Sequence, residues 1–471
     1  MKPLRLFKYF LTTACMAALS GCAVGPDYKM PEFDLPSFWH EAKPNQNVSA
    51  SDQAHAWWED FNDPIMCDLV KRALDHNESL AVAEARISEV RGLRESAFGA
   101  LFPQIGADAQ AVRENPGVST TNHIIGFEQG AFDAAWEIDL FGGTRRRIEA
   151  EDALTGAAVA DYRDISLSLA AEVAREYIIL RQLQAQLAVT RQTADIQSHL
   201  YNISQDRYKG GLVSTLDVAQ AETLYKTTIA HIPDFERLIK ATSYRISLLL
   251  GESPGSVDQI AETAAPIPSA QQLPVLEAPA DIMRRRPDIA VAERNLAAAT
   301  ASQGVAISEL YPKISLAGLF GTQYGTFPLY KYAATHRVWE MGAGISMPIL
   351  NFGTIEGQIN AADARQVQAY HNYRQTVLAA LSDVETDLSN LALETKRDDV
   401  LHEASKAADH AVDVARDRYR NGLTDFTSVL QSEQQRFSVQ LDMLASQSDE
   451  AQDVIALHKA LGDNPVSPSE E

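Results

Sequence analysis

The chain is written twice. Ser79-Leu80-Ala81-Val82-Ala83-Glu84 returns as Asp288-Ile289-Ala290-Val291-Ala292-Glu293, and Leu101-Phe102-Pro103-Gln104-Ile105 as Leu310-Tyr311-Pro312-Lys313-Ile314, both at an offset of 209. Phe141-Gly142, Arg207-Tyr208-Lys209-Gly210-Gly211-Leu212 and Leu250-Gly251 return as Phe352-Gly353, Arg418-Tyr419-Arg420-Asn421-Gly422-Leu423 and Leu461-Gly462 at an offset of 211. A unit of about 210 residues is far too long for a solenoid repeat. Two structural halves with pseudo-symmetry are expected. The two-residue change falls between Ile105 and Phe141, where a hairpin would absorb it.

Each half changes period along its length. Residues 64–99 read as one helix, which Pro103 ends. Ile105, Ala107, Ala109 and Ala111 then alternate with polar or small residues, as do Phe132, Ala134, Trp136, Ile138 and Leu140. That is the period of strands with one apolar and one wet face. Ile314, Leu316, Gly318 and Phe320 repeat the pattern, with Leu319 breaking the polar set, followed by Trp339, Met341, Ala343, Ile345 and Met347. Hairpins are expected over 104–140 and 313–349. Long helices are expected over 143–208 and 354–419, each roughly 100 Å at 1.5 Å per residue. Leu169, Val173, Tyr177, Leu180, Leu183 and Leu187 form a coiled-coil-like seam in the first. Gly210-Gly211 and Asn421-Gly422 stop these helices, and return helices follow over 213–250 and 424–461. The first repeat thus occupies 64–251 and the second 284–462. Residues 252–283, with Pro254, Pro266, Pro268, Pro274 and Pro279, read as a compact linker and not a helix, and 463–471 as a tail.

The N-terminus sets the compartment. Lys2, Arg5 and Lys8 precede a short apolar run, Phe10 to Leu19, and Leu19-Ser20-Gly21-Cys22 follows. Residues 1–21 read as a signal peptide, too short for an ordinary membrane helix. Leu-Ser-Gly-Cys resembles a bacterial lipobox, which implies lipidation of Cys22. Ala23, where Asp often retains lipoproteins at the inner membrane, favours outer-membrane sorting. Residues 22–63 form a lipidated N-terminal extended segment. Cys15 leaves with the signal peptide and Cys22 is capped, so Cys67 has no partner for an intrachain disulfide.

Only helices and closed barrels cross lipid, since an open sheet edge leaves backbone groups unpaired. Four short amphipathic strands cannot close around a lumen within one chain, but symmetry-related copies can close it together. The expected fold is therefore a mixed α and β membrane protein whose tandem-repeat protomers share a barrel. Lys+Arg 41 against Asp+Glu 63 gives a formal charge of −22, which argues against nucleic-acid binding and suits a solvated acidic surface or a path for cationic solutes.

Cys22-Ala23-Val24-Gly25-Pro26-Asp27-Tyr28 with Pro31 resembles the mature start of TolC/OprM-type outer-membrane efflux lipoproteins. Met283-Arg284-Arg285-Arg286-Pro287-Asp288-Ile289, with Ala292-Glu293 and Leu310-Tyr311-Pro312-Lys313-Ile314-Ser315-Leu316, is similar to that family's most distinctive stretch. Arg207-Tyr208, Gly211-Leu212-Val213-Ser214 and Leu216-Asp217-Val218 resemble its first periplasmic turn. The match covers essentially the whole mature chain. The resemblance is to the NodT-like subgroup of RND efflux systems, and the lipobox and the Arg-Arg-Arg-Pro-Asp stretch favour the drug or metal efflux branch. The resemblance implies a homotrimer with a 12-stranded outer-membrane β-barrel continued by a long periplasmic α-helical barrel. It implies docking to a periplasmic membrane-fusion adaptor and an inner-membrane pump, usually of the RND type. The implied function is a passive exit duct for drugs, toxic compounds or metals. No cofactor is expected beyond the lipid on Cys22.

The resemblance also places site residues. Adaptor-contacting tips map onto Gly210, Gly211 and Leu212, and onto Asn421, Gly422 and Leu423, which equally serve as helix-hairpin turns. Asp217 and Tyr419 match members of the polar network that closes the family's periplasmic entrance, where a carboxylate and a phenol can share a hydrogen bond; the alternative is a solvated Asp217 and a packed Tyr419. Some relatives carry an Asp constriction three residues after the position of Ser428. Here that position is Gln431, and Asp425 is the carboxylate that would replace it. In the barrel, alternation alone puts Asp108, Asp133, Glu137, Asp139 and Glu340 on the lumen face, unless some pair with Arg113 or Arg145 at the rim.

Enzyme motifs fail. Gly251-Glu252-Ser253-Pro254-Gly255 fits G-x-S-x-G, but it follows a helix, and Pro254 lacks the N–H the oxyanion needs. No phosphate loop or paired metal-ligand spacing appears, so neither an enzyme nor a metal centre is expected. Two other readings remain: a type I protein secretion exit duct of the same fold, and a periplasmic structural coiled-coil lipoprotein.

Overall fold

The computed structural model describes residues 23–41, 56–114, 125–326 and 334–463, apart from 272, 275 and 277. A 3-10 turn, Trp57–Phe61, precedes α1 (Pro64–His76) and α2 (Glu78–Gly99). β1 (Gln104–Glu114) and β2 (Ile125–Ile138) lead into α3 (Gly143–Lys209) and α4 (Thr215–Leu249). Two short helices follow, α5 (Asp258–Glu262) and α6 (Pro279–Arg285). The second half then runs α7 (Pro287–Ser308), β3 (Lys313–Thr326), β4 (Ala334–Ser346), α8 (Thr354–Arg420) and α9 (Phe426–Leu461).

Two expectations need correction. The helix expected over 64–99 is broken at Asn77, whose Oδ1 accepts from the Ser79 amide at 2.8 Å while its Nδ2 donates to Leu249 O at 2.8 Å. A side chain that caps one helix and holds the end of another outweighs helix propensity. Residues 252–283 are not free of helix, because Pro279 sits in the first turn of α6, where its missing N–H costs nothing.

The chain divides into two compact units. One combines residues 1–32, 85–159 and 291–375, and holds the sheet. Its strands run β1-β2-β3-β4, all antiparallel, so β1 and β4 are edges. Gln104 pairs with Ala135 and Lys313 with Ser346, so the repeat offset is 209 in the first strand of each hairpin and 211 in the second.

The other unit combines 33–84, 160–290 and 376–471. Its core is the seam of α3: Leu169, Val173, Tyr177, Leu180, Leu183 and Leu187 are all buried, with Trp57, Met66, Leu69, Ile246 and Leu250. The Tyr177 hydroxyl donates to Asp63, 2.8 Å away, and Asp63 caps α1 through the amides of Ile65 and Met66. Arg181 is fully buried beside it, donating to Thr263 O at 2.7 Å and to Gln184 at 2.8 Å.

Candidate functional site

Both long helices end in the same turn. At the end of α3, Leu212 N donates to Arg207 O and Gly211 N to Tyr208 O, each at 2.9 Å. At the end of α8, Leu423 N donates to Arg418 O at 2.9 Å and Gly422 N to Tyr419 O at 3.0 Å. This paired closure needs a left-handed residue; Gly211 and Gly422 supply it at φ +70° and +71°. The turn satisfies the last carbonyls and pushes the next side chain outward. Leu212 and Leu423 are accordingly 75% and 67% exposed, with Gly210 and Asn421 beside them.

The return helices start from capping pairs in which the two repeats exchange residues. Ser214 and Asp217 cap α4 reciprocally: Asp217 N donates to Ser214 Oγ, and Ser214 N to Asp217 Oδ2 at 2.9 Å. In α9 the acid comes first. Asp425 accepts from the Ser428 amide at 3.0 Å and hydroxyl at 2.6 Å, and these bonds hold its carboxyl below the usual range. Within the chain, Asp217 and Tyr419 therefore share no hydrogen bond, and Tyr419 takes the alternative of a packed ring. The unpaired amides of a helix start claim the nearest carboxylate, and Tyr419 packs instead against Phe426, ring centroids 5.1 Å apart, with the Arg207 guanidinium 4.8 Å from its ring. Phe426, Val429, Leu430 and Ala221 form the apolar cluster beneath. Gln431 lines a groove with Leu216, Gln220 and Thr427, and Thr427 donates to Gln220 at 3.1 Å.

Just above the tips lies an ion triad not foreseen from sequence. Glu433 is fully buried, paired with Arg416 from α8 and with Arg436 at 2.9 Å. The i, i+3 spacing of Glu433 and Arg436 was its one visible trace.

The Arg-Pro-Asp stretch also acquires a role. Arg286 donates to both oxygens of Asp288, at 3.0 and 2.8 Å, to Asp383 at 3.1 Å, and to Ala460 O at 3.3 Å. It thereby clamps the start of α7 to α8 and α9. Around it is a cavity of about 290 Å³ lined by Asp164, Asp383, Asp387 and Lys459. Burial, and then the charge of Asp383, pushes the Asp387 carboxyl up to about 6. Burial, then Glu394 and Asp387, does the same to Asp453. Among the described residues no group of His, Cys, Asp and Glu is arranged to hold a metal ion.

The sheet has two chemically distinct faces. Asp133 lies opposite Gly106 and Leu319, Leu319 opposite Glu340, Asp108 opposite Ala131, and Glu137 opposite Ser315. Directly paired residues share a face, so these acids share one. The same face carries the row Gln110, Gln129, Gln323 and His336. The opposite face carries Ile105, Phe132, Phe320, Trp339, Met341 and Ile345, all exposed. Asp139 takes the rim alternative instead of the lumen face: it lies beyond β2 and accepts from the amides of Thr144 and Arg145, at 3.1 and 3.0 Å, pairing with the Arg145 guanidinium at 3.2 Å. The alternation runs past the last strand residue, and the start of α3 takes the carboxylate.

Cys22 lies outside the described residues. Immediately after it the chain is held down: Val24 N donates to Phe141 O at 3.0 Å, and Arg146 donates to Val24 O, Gly25 O and Asp27. Tyr28 donates to Glu293 and packs on Ala153, Ala297 and Ala298.

The model of "Outer membrane efflux protein" fits residues 69–252 and 278–463. The chain belongs to that family. It is 26% identical to nodulation protein T of Rhizobium leguminosarum bv. trifolii over 98% of this chain and 99% of that protein. It is 27% identical to the pyoverdine export outer membrane protein OpmQ of Pseudomonas aeruginosa, over 96% of each. Among solved structures, the outer-membrane channel OprN superposes with a TM-score of 0.87 at 30% identity, covering 94% of this chain and all of that one. This outer membrane efflux protein is thus a channel and not an enzyme. No described helix is long and apolar enough to cross a membrane.

Proposed function

We propose that three copies of this chain form the outer-membrane exit duct of a tripartite efflux system. The observation that carries this is the sheet: its apolar face is bare and its edges, β1 and β4, are open. An open edge is not tolerated in hydrocarbon, and three copies of a four-stranded sheet supply twelve strands. The acidic face then lines the lumen, with Asp108, Asp133, Glu137 and Glu340 favouring cationic solutes.

The tips at Gly211 and Gly422, with Leu212 and Leu423 projecting, are the contact for a periplasmic adaptor, which couples the duct to an inner-membrane pump of the RND type. Asp425, Ser428, Gln431 and Tyr419 line the entrance above them. Small organic compounds are the proposed cargo, in keeping with relatives named for pyoverdine export and toluene efflux. Cys22 carries the lipid, and the chain just after it is fastened at Val24 and Gly25 to Phe141 and Arg146.

The test has three parts. The detergent-solubilised protein should have the mass of three chains. Planar bilayers containing it should conduct, and cells lacking it should accumulate an efflux-substrate dye. A channel of single-chain mass would overturn the assembly, and unchanged dye accumulation would overturn the efflux role. Cys22→Ser should abolish acyl-chain labelling.

A further inference from the structure

Within the chain the two hairpins meet through β2 and β3, and an aromatic stack closes the meeting where strands give way to helices. Phe141, just after β2, lies on Tyr311, just before β3, with ring centroids 4.7 Å apart and planes at 24°. Gly142, at φ +80°, turns the chain there.

The repeat carries both halves of this stack a second time. Phe352 follows β4 as Phe141 follows β2, and Gly353 has φ +86° to match Gly142. Phe102 precedes β1 as Tyr311 precedes β3. In one chain the two do not meet. Phe352 is 90% exposed, and Phe102 is 55% exposed with its ring edge-on to Phe98. Ile349 and Leu350, beside Phe352, are 94% and 74% exposed. The strands they flank are the two open edges of the sheet.

We infer that Phe352 of one copy stacks on Phe102 of a second copy, repeating across each subunit boundary the Phe141–Tyr311 stack found inside the chain. The inference rests on the trimeric reading above and names the residues that clasp it. The occupant is a second copy because only that copy brings a β1 edge and a Phe102 together. A bilayer-facing role for Phe352 is disfavoured by its counterpart, since Phe141 is stacked on Tyr311.

The test uses the full chain with Cys67→Ser, retaining Cys22, in outer membranes treated with a short bis-maleimide. Phe102→Cys with Phe352→Cys should shift the chain from one-chain to three-chain mass on denaturing gels, and neither single variant should. Phe141→Cys with Tyr311→Cys is the control: it should lose free thiol without any shift in mass. If the control reacts and trimers persist in mild detergent, but the double variant stays at one-chain mass, the clasp is wrong and the trimer stands. If the parent chain forms no trimer, the assembly reading fails and the clasp with it. Labelling of Phe352→Cys in intact trimers by a lipid-soluble maleimide would also overturn the clasp. As a second measure, Phe102→Ser and Phe352→Ser should each lower the temperature at which trimers dissociate. The double serine variant should fall no further than the worse single, because both remove one contact. Additive losses would overturn the pairing.

Discussion

Arg416 on α8 and Glu433 on α9 form an ion pair whose carboxylate is wholly buried. A buried charge is costly unless partnered, and removing one partner strands the other. Glu433→Ala should therefore cost about 3–5 kcal/mol, read as a drop in the melting temperature of the solubilised protein. Replacing all three members with apolar residues, Arg416→Met, Glu433→Leu and Arg436→Met, should recover most of that loss.

At the tips, Asp217 is committed to its capping box and Tyr419 to a ring stack. Tyr419→Phe keeps the ring and should leave single-channel conductance near wild type. Tyr419→Ala removes the surface on which Phe426 and Arg207 rest, and should raise conductance. Exchanging Ser214→Asp with Asp217→Ser copies the arrangement of the second repeat and should be silent in the same bilayer recordings.

Stability should depend on pH through Asp387 and Asp453. Both carboxyls titrate near 6 in the folded protein, above the ordinary carboxylate value. The folded state therefore binds protons more tightly than the unfolded chain. The resulting stabilisation is complete below the ordinary carboxylate pKa and is lost as pH rises through about 6. Each group contributes roughly 1 kcal/mol once solvent screening is allowed for. The melting temperature should fall between pH 5 and pH 7.5, and Asp387→Asn with Asp453→Asn should flatten that dependence.

The two faces of the sheet predict opposite tolerance to charge. Phe320→Lys places an ammonium on the apolar face and should cost about 2–4 kcal/mol at mid-bilayer depth, lowering recovery in outer-membrane fractions. Gln323→Lys on the polar face should leave recovery unchanged and reduce cation selectivity.

Much of the fold was legible because period is a one-dimensional signal. The seam from Leu169 to Leu187 needs only the spacing of apolar residues, and the strands around Phe132 and Trp339 need only alternation. What escaped depends on partners distant in sequence. Asn77 breaks a helix through Leu249 O, and Arg286 acquires meaning only when Asp383 and Ala460 are beside it. Glu433 reads as one more helical acid until Arg416 faces it. Alternation alone left Asp139 between the lumen face and a pairing with Arg145, because alternation does not announce where a strand stops.

The repeats differ by two residues between the first and second strands of their hairpins, 209 against 211. A strand turns each successive side chain to the opposite face. What holds Trp339 on the apolar face and Glu340 on the polar one is their pairing with Phe320 and Leu319 of β3, not the length of the connection between the strands. The connection can therefore differ between the repeats without moving either side chain. Residues inserted between the hairpin strands should change reach alone, whereas one residue inserted within β4 without a bulge should exchange the solvents that every later side chain of the strand faces.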